Sequence, residues 1–153
     1  MKIFDCITYF DEPMLFDLRL NILSEYVDKF IVIEAKHTHS GNKKKLNFEI
    51  NNFKKFKNKI IYKVIENQPK GIIEVNKDDD TGIQSANKRM NSLKRIELSY
   101  DAALDCLIEA NPEDLFILSD SDEIPNLEKD LKSLPIWECR FESGRGHHKF
   151  IST

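Results

Sequence analysis

The chain reads as an α/β protein on a mainly parallel sheet, and three observations predict it. Strand-like apolar runs alternate with stretches of helical apolar spacing, in the order β-α-β-α-β-α-β. The run Phe30-Ile31-Val32-Ile33 inside Lys29–Ala35 is unbroken, as expected of a central parallel strand covered on both faces. Leu115-Phe116-Ile117-Leu118 is a second such run, and an acidic turn follows it directly.

The elements follow in order. Lys2 to Phe10 is rich in Ile, Phe, Thr and Tyr and predicts a buried strand. Asp11-Glu12-Pro13 then sets an acid before a proline, a helix start. From Met14 to Val27 the residues Leu15, Leu18, Ile22 and Leu23 recur at helical spacing and predict one sticky face, with Glu12 and Arg19 on the helix surface. After the second strand comes the polar loop His37-Thr38-His39-Ser40-Gly41-Asn42, and Glu34, ending that strand, is placed to face a crevice. A short helix is expected within Asn47 to Phe56 and a third strand over Lys59 to Ile65.

Residues 67 to 82 hold Pro69, Gly71, Gly82 and Asp78-Asp79-Asp80, which read as loop and solvated turn. A long helix is predicted from Ile83 to Ala110, with Leu93, Ile96, Leu104 and Leu107 in its apolar face. Asn111-Pro112 ends it, because proline cannot continue the backbone ladder. The fourth strand, Leu115–Leu118, precedes Ser119-Asp120-Ser121-Asp122-Glu123-Ile124-Pro125, and a turn or two of helix is expected through Leu134. Residues 1–134 therefore form one domain and residues 135–153, with neither periodicity nor a strand run, an irregular tail.

Composition narrows the function. Hydrophobic residues at 41% and charged residues at 32% exclude disorder and allow a sizeable core. A net charge of −3 gives no pull toward nucleic acid or anionic membranes, and the lysines Lys43–Lys45, Lys54, Lys55, Lys57 and Lys59 read as a solvated face. No apolar run approaches the roughly 18–20 residues of a membrane span. The N-terminus lacks the apolar core of a signal peptide. Cys6, Cys106 and Cys139 are scattered and read as reduced core residues, so a cytoplasmic location is expected.

The chemistry concentrates in Asp120-Ser121-Asp122. In open α/β sheets ligands bind beyond the carboxyl ends of the strands, and two carboxylates one residue apart there can share a hard divalent cation. Mg²⁺ or Mn²⁺ suits such oxygen ligands and bridges carboxylates to substrate phosphates. The pairs His37/His39 and His147/His148 lack a third ligand at zinc spacing. The sequence holds no nucleophile elbow, P-loop or Gly-X-Gly-X-X-Gly. A phosphohydrolase Asp-X-Asp would follow the first strand and run into a Thr; here it follows the fourth and runs into Glu123-Ile124-Pro125.

Several segments together resemble glycosyltransferase family 17, which includes the β-1,4-mannosyl-glycoprotein N-acetylglucosaminyltransferases. They are Lys2-Ile3-Phe4-Asp5-Cys6-Ile7-Thr8-Tyr9-Phe10-Asp11-Glu12 with Leu18-Arg19-Leu20, then Val27 to Ala35 with Thr38 and Gly41, then Ser119 to Pro125. The resemblance implies a GT-A-type, Rossmann-like nucleotide-sugar-binding fold. It also implies metal-dependent transfer of N-acetylglucosamine from a UDP-sugar donor to a hydroxyl of a glycan acceptor. Carried over by position, Asp120 and Asp122 hold Mn²⁺ or Mg²⁺ and through it the diphosphate. Glu123 sits beside them, and Glu12, Arg19, Glu34 and Gly41 lie near the donor.

Two departures accompany the likeness. Arg95-Ile96-Glu97-Leu98-Ser99-Tyr100-Asp101 stands where the family carries a Glu followed closely by Gln-Arg, so that polar pair is replaced. Family domains also continue well beyond the Asp-X-Asp loop. The chain is therefore expected to be a truncated domain whose catalytic base is not assigned, with exposed sheet surface able to self-associate. The alternative to a working transferase is a non-catalytic remnant that binds a sugar nucleotide or a partner protein.

Overall fold

The computed structural model describes residues 1–107, 110–129 and 149–151. Five strands form one sheet in the order β3-β2-β1-β4-β5, where β1 is Ile3–Thr8, β2 Lys29–Ala35, β3 Ile60–Ile65, β4 Leu115–Leu118 and β5 Lys149–Ile151. Every pairing is parallel. Helix α1 spans Pro13–Leu23, a 3₁₀ segment spans Ile50–Lys59, and α2 spans Thr81–Asp105. The protein is thus α/β with a Rossmann-like parallel sheet.

Strand alternation explains why the central strands read as unbroken apolar runs. Ile3, Ile7, Phe30, Val32, Leu115 and Ile117 pack on one face with Phe16, Leu20 and Leu23 of α1 and Phe53 and Phe56 of the 3₁₀ segment. Phe4, Cys6, Ile31, Ile33 and Phe116 pack on the other with Ala102 and Ala103 near the end of α2 and Leu107 just beyond it. Both faces are covered, so neither can carry solvated polar residues. On the α1 face Tyr9, Phe16, Phe48, Phe53 and Tyr62 form a chain of edge-on and stacked rings at 4.6–6.0 Å.

Three local expectations are corrected. The buried face of α1 is Phe16, Arg19, Leu20 and Leu23, while Leu18 and Ile22 are half exposed and Met14 is 85% exposed. An apolar stripe Met14-Leu18-Ile22 with the same period points outward, and a buried arginine interrupts the inward one. Arg19 itself, far from lying on the helix surface, is fully buried. In α2, Leu93 is 48% exposed because the inward positions on either side of it are polar, with Asn91 and Ser99 buried.

The tail read as irregular contains β5, which pairs with β4 in the register Phe116↔Phe150. The expected helical turns through Leu134 are described only as far as residue 129. Helix α1 starts with proline in its first turn, and the Asp80 carboxylate caps α2 by accepting from the Gly82 N–H at 2.7 Å. That cap gives the Asp78–Asp80 run a local structural role.

Strand order decides where a site can form. From β1 the chain steps outward to β2 and β3, and α2 then carries it back past both to β4, on the other side of β1. The direction of winding reverses between β1 and β4, which makes the crevice beyond their carboxyl ends the topological switch point. Ser119-Asp120-Ser121-Asp122 leaves β4 there.

Candidate functional site

The loops at the carboxyl ends of β1 to β4 and residues 92–99 of α2 enclose a cavity of about 760 Å³. The β1 loop contributes Tyr9, Phe10 and Glu12; the β2 loop His37 to Ser40; the β3 loop Asn67, Gln68 and Pro69; and the β4 loop Asp120 to Asp122. Helix α2 adds Ser92, Arg95 and Ser99, and Ile33, Ala35, Ile65 and Leu98 supply apolar surface. An apolar pocket with a few convergent polar groups is the usual form of a small-molecule site.

The acidic loop is held from behind by one arginine. Arg19 Nε and Nη2 donate to the two Asp5 carboxylate oxygens at 2.8 and 2.7 Å, a bidentate pair whose side chains are 0% and 1% exposed. Nη1 donates to the backbone carbonyls of Asp120 and Glu123 at 3.0 and 2.9 Å, and Nη2 also reaches Ser119 Oγ at 2.6 Å. A guanidinium has five N–H donors, and all five are engaged within the protein. Arg19 therefore fixes Asp120 to Glu123 in place and has no donor left for a ligand.

The turn is closed further by the Glu123 N–H donating to the Asp120 carbonyl at 3.1 Å and by Ser119 Oγ donating to the Glu123 carbonyl at 3.2 Å. Ser121 is buried, while Asp120 and Asp122 are exposed and line the cavity. No described residue makes a hydrogen bond or ion pair to either carboxylate. Burial, followed by the negative charge of Asp120, pushes the nearby Tyr100 phenol above its ordinary value.

The other predicted residues divide in the same way. Glu12 lines the cavity, and its carboxylate accepts from the Phe10 and Asp11 N–H groups, each at 3.1 Å. Glu34 is fully buried and does not line the cavity. It accepts from Lys44 Nζ at 2.5 Å, the Asn47 N–H at 2.8 Å, the Phe48 N–H at 3.1 Å and the Tyr62 hydroxyl at 2.8 Å. Burial alone would raise its pKa, but the hydrogen bonds, led by Lys44, outweigh it and hold the carboxyl below its ordinary value. Glu34 thus anchors the β2 loop from beneath. Gly41 turns that loop with φ +95°. Glu123 is exposed beside the aspartates, its Oε2 3.4 Å from the Asp120 N–H.

Four cavity or support residues escaped the sequence reading. Arg95 and Gln68 pair at 2.7 Å through Nε and Oε1, and Tyr62 completes the Glu34 shell. His37 lines the cavity with a buried Nδ1 that has no hydrogen-bond partner among the described residues. The available signal was the spacing Asn91-Arg95-Ser99, a polar stripe at i, i+4, i+8 of a helix read only for apolar residues. Cys6 is fully buried, and burial pushes its thiol well above its ordinary value, so it is core. Cys6 and Cys106 are free; Cys139, His147 and His148 lie outside the described residues.

The donor set suits a divalent cation shared with a ligand better than a protein cage. Among the described residues no cluster of three or more His, Cys, Asp or Glu could hold a metal. The two exposed carboxylates would take part of an oxygen coordination shell and leave the rest to phosphate and water, the usual arrangement for Mg²⁺. No helix among the described residues is long and apolar enough to cross a membrane.

A Rossmann-like parallel sheet with a cavity at its switch point and an Asp-X-Asp turn lining it defines an α/β protein of the open-sheet class. The family model for glycosyltransferase family 17 matches residues 1–135, and the chain belongs to that family. It is thus a glycosyltransferase domain, with a sugar donor and an acceptor as its partners. No curated protein and no solved structure matches the chain.

Proposed function

We propose that this domain, as a GT-A-type fold, binds a UDP-sugar in the switch-point cavity and transfers the sugar, N-acetylglucosamine, to a glycan hydroxyl with the help of Mn²⁺ or Mg²⁺. The observation that carries this reading is the pair Asp120 and Asp122. They are the exposed carboxylates of a turn held rigid by Arg19, they line the cavity, and no group among the described residues bonds to them. Two adjacent unpaired carboxylates repel, which favours a bound cation. When bound, the cation supplies Lewis-acid stabilisation of the departing diphosphate.

The chain's own residues supply position. Arg19 and Ser119 fix the loop, so the carboxylates need little reorganisation on binding, which is the condition under which electrostatic stabilisation is most effective. The apolar surface of Ile33, Ala35, Ile65 and Leu98 excludes water from one side. Tyr9 and Phe10 offer aromatic surface at the end of β1. The free thiols of Cys6 and Cys106 suit a reducing compartment, the cytoplasm.

Calorimetric titration of UDP-N-acetylglucosamine, with and without Mn²⁺, into the wild type and an Asp120→Asn/Asp122→Asn variant tests the reading. Binding that requires both metal and aspartates supports it, and no binding by the folded wild type rejects it. Binding without sugar transfer to any glycan acceptor would leave a sugar-nucleotide-binding remnant.

A further inference from the structure

Among the described residues two arginines lie beside the switch-point cavity, and they are used in opposite ways. Arg19 is neutralised by Asp5 and saturated with acceptors. Arg95, on α2, lines the cavity half-buried and forms no ion pair among the described residues. Its Nε donates to Gln68 Oε1 at 2.7 Å and its Nη1 to the His39 carbonyl at 3.0 Å. Those two bonds leave three of the five N–H donors, both of those on Nη2 included, without an acceptor among the described residues.

A guanidinium kept partly from water without a counter-charge is costly unless something anionic completes it. The surroundings are nonetheless built to hold it there. Gly41 runs so close beneath that a Cβ at this position would stand 2.5 Å from Arg95 Nη2 and 2.9 Å from Cζ. Gln68 donates in turn to the Gly41 carbonyl at 3.2 Å, and Ser92 Oγ donates to the same His39 carbonyl at 2.8 Å. Two loops and a helix thus converge to hold at the cavity wall one cation that has no ion-pair partner among the described residues.

We infer that Arg95 is an anion-recognition residue that binds phosphoryl oxygens of the nucleotide-sugar donor directly, through the free Nη donors and independently of the metal at Asp120 and Asp122. A planar fork with two donors presented together matches the geometry of phosphate. The identity of the phosphate as the donor's diphosphate rests on the function proposed above; the anion site itself rests on Arg95, Gln68, His39 and Gly41.

The test is titration of inorganic pyrophosphate in EDTA, and of UDP beside uridine in EDTA and in Mn²⁺, into wild type, Arg95→Gln, Arg95→Lys and Asp120→Asn/Asp122→Asn. Wild type should bind pyrophosphate without metal, and Arg95→Gln should weaken this by ~10- to 100-fold, the range of one or two hydrogen bonds between charged partners. Arg95→Lys, which keeps the charge but loses the fork, should fall between them. Uridine binding should be unchanged in Arg95→Gln.

The aspartate variant should keep the metal-free pyrophosphate affinity and lose only the gain from Mn²⁺. Equal pyrophosphate affinity in wild type and Arg95→Gln, or none in wild type, overturns the inference whatever UDP does. A wild type that binds pyrophosphate through Arg95 but gains nothing from Mn²⁺ would instead reject the metal reading and leave the anion site standing. Should Arg95→Gln fail to fold, the Lys variant and the salt dependence of wild-type binding decide, because a direct ion contact weakens as salt rises.

Discussion

Arg19 and Asp5 meet through two hydrogen bonds of 2.8 and 2.7 Å inside the α1 face of the sheet, and the same guanidinium carries the backbone of Asp120 and Glu123. One residue of α1 therefore joins the central strand to the turn that presents the acidic pair. A buried bidentate ion pair adds little net stability over a well-packed apolar pair, but breaking it strands a charge. The arrangement therefore matters mainly for where it places the loop.

Arg19→Met should cost about 3–5 kcal/mol, because Asp5 would remain buried without its partner. The double change Arg19→Met/Asp5→Leu should recover much of that loss without restoring metal-dependent UDP binding, since the loop carbonyls still lack their donor. Urea unfolding and calorimetry on both variants check the two halves separately. A single variant as stable as wild type would mean the pair is not structurally important.

The loop carboxylates give a second expectation, about metal removal. If Asp120 and Asp122 act on the donor only through a shared cation, EDTA and the Asp120→Asn/Asp122→Asn change remove one interaction between them. Their effects on UDP affinity should not add, because coupled changes are non-additive. Adding EDTA to the variant should lower its UDP affinity by less than about twofold, within the ~0.3–0.5 kcal/mol scatter of additivity. A full further loss would place the metal elsewhere.

What the sequence revealed and what it hid follow from one physical distinction. The sheet, its order of elements and the acidic turn were legible because β1, β2 and β4 are apolar runs bounded by punctuation, and Asp120-Ser121-Asp122 follows one of them directly. The inward faces of both helices were misread because buried polar residues occupy them: Arg19 in α1, and Asn91 and Ser99 in α2. Arg19 and Asn91 are buried because distant partners satisfy them, Asp5 fourteen positions earlier for Arg19 and both backbone groups of Ile73 for Asn91, while Ser99 donates to the Arg95 carbonyl of its own helix. Periodicity detects hydrophobic burial and is blind to compensated polar burial. The roles of Glu34 and Arg95 were hidden for the same reason, since both depend on loops from other parts of the chain.

Gly41 offers a test of that loop packing. Its φ of +95° is a conformation that L side chains rarely adopt, and the missing Cβ leaves room for Arg95 Nη2. Gly41→Ala should cost about 1–2 kcal/mol from backbone strain alone. It should also displace the Arg95 head group and weaken pyrophosphate binding in parallel with Arg95→Gln. Thermal unfolding and titration check both. An alanine variant with unchanged stability and affinity would mean that the loop turns as readily without glycine and that Arg95 moves aside freely.

Glu34 makes the stability pH-dependent in a direction its hydrogen bonds fix. Its folded pKa lies below the ordinary 4.5 because Lys44, Asn47, Tyr62 and Phe48 together outweigh the burial that opposes ionisation. A depressed carboxylate contributes stability that is present above the unfolded value and is lost as pH falls through the folded one. The urea midpoint should therefore hold from neutrality down to the ordinary carboxyl value and decline below it. Asp114, also held low by the Asn111 and Lys2 N–H groups, adds to the decline in the same sense. Glu34→Gln should start less stable, since the Lys44 ammonium loses its partner, but its midpoint should fall less steeply on acidification. Tyr62→Phe removes one neutral donor from the charged group and should cost about 1.5–3 kcal/mol at neutral pH. It should narrow the acid window as well, because one cause of the depressed pKa is gone. A Glu34→Gln variant with the same acid slope as wild type would assign the decline to other carboxylates.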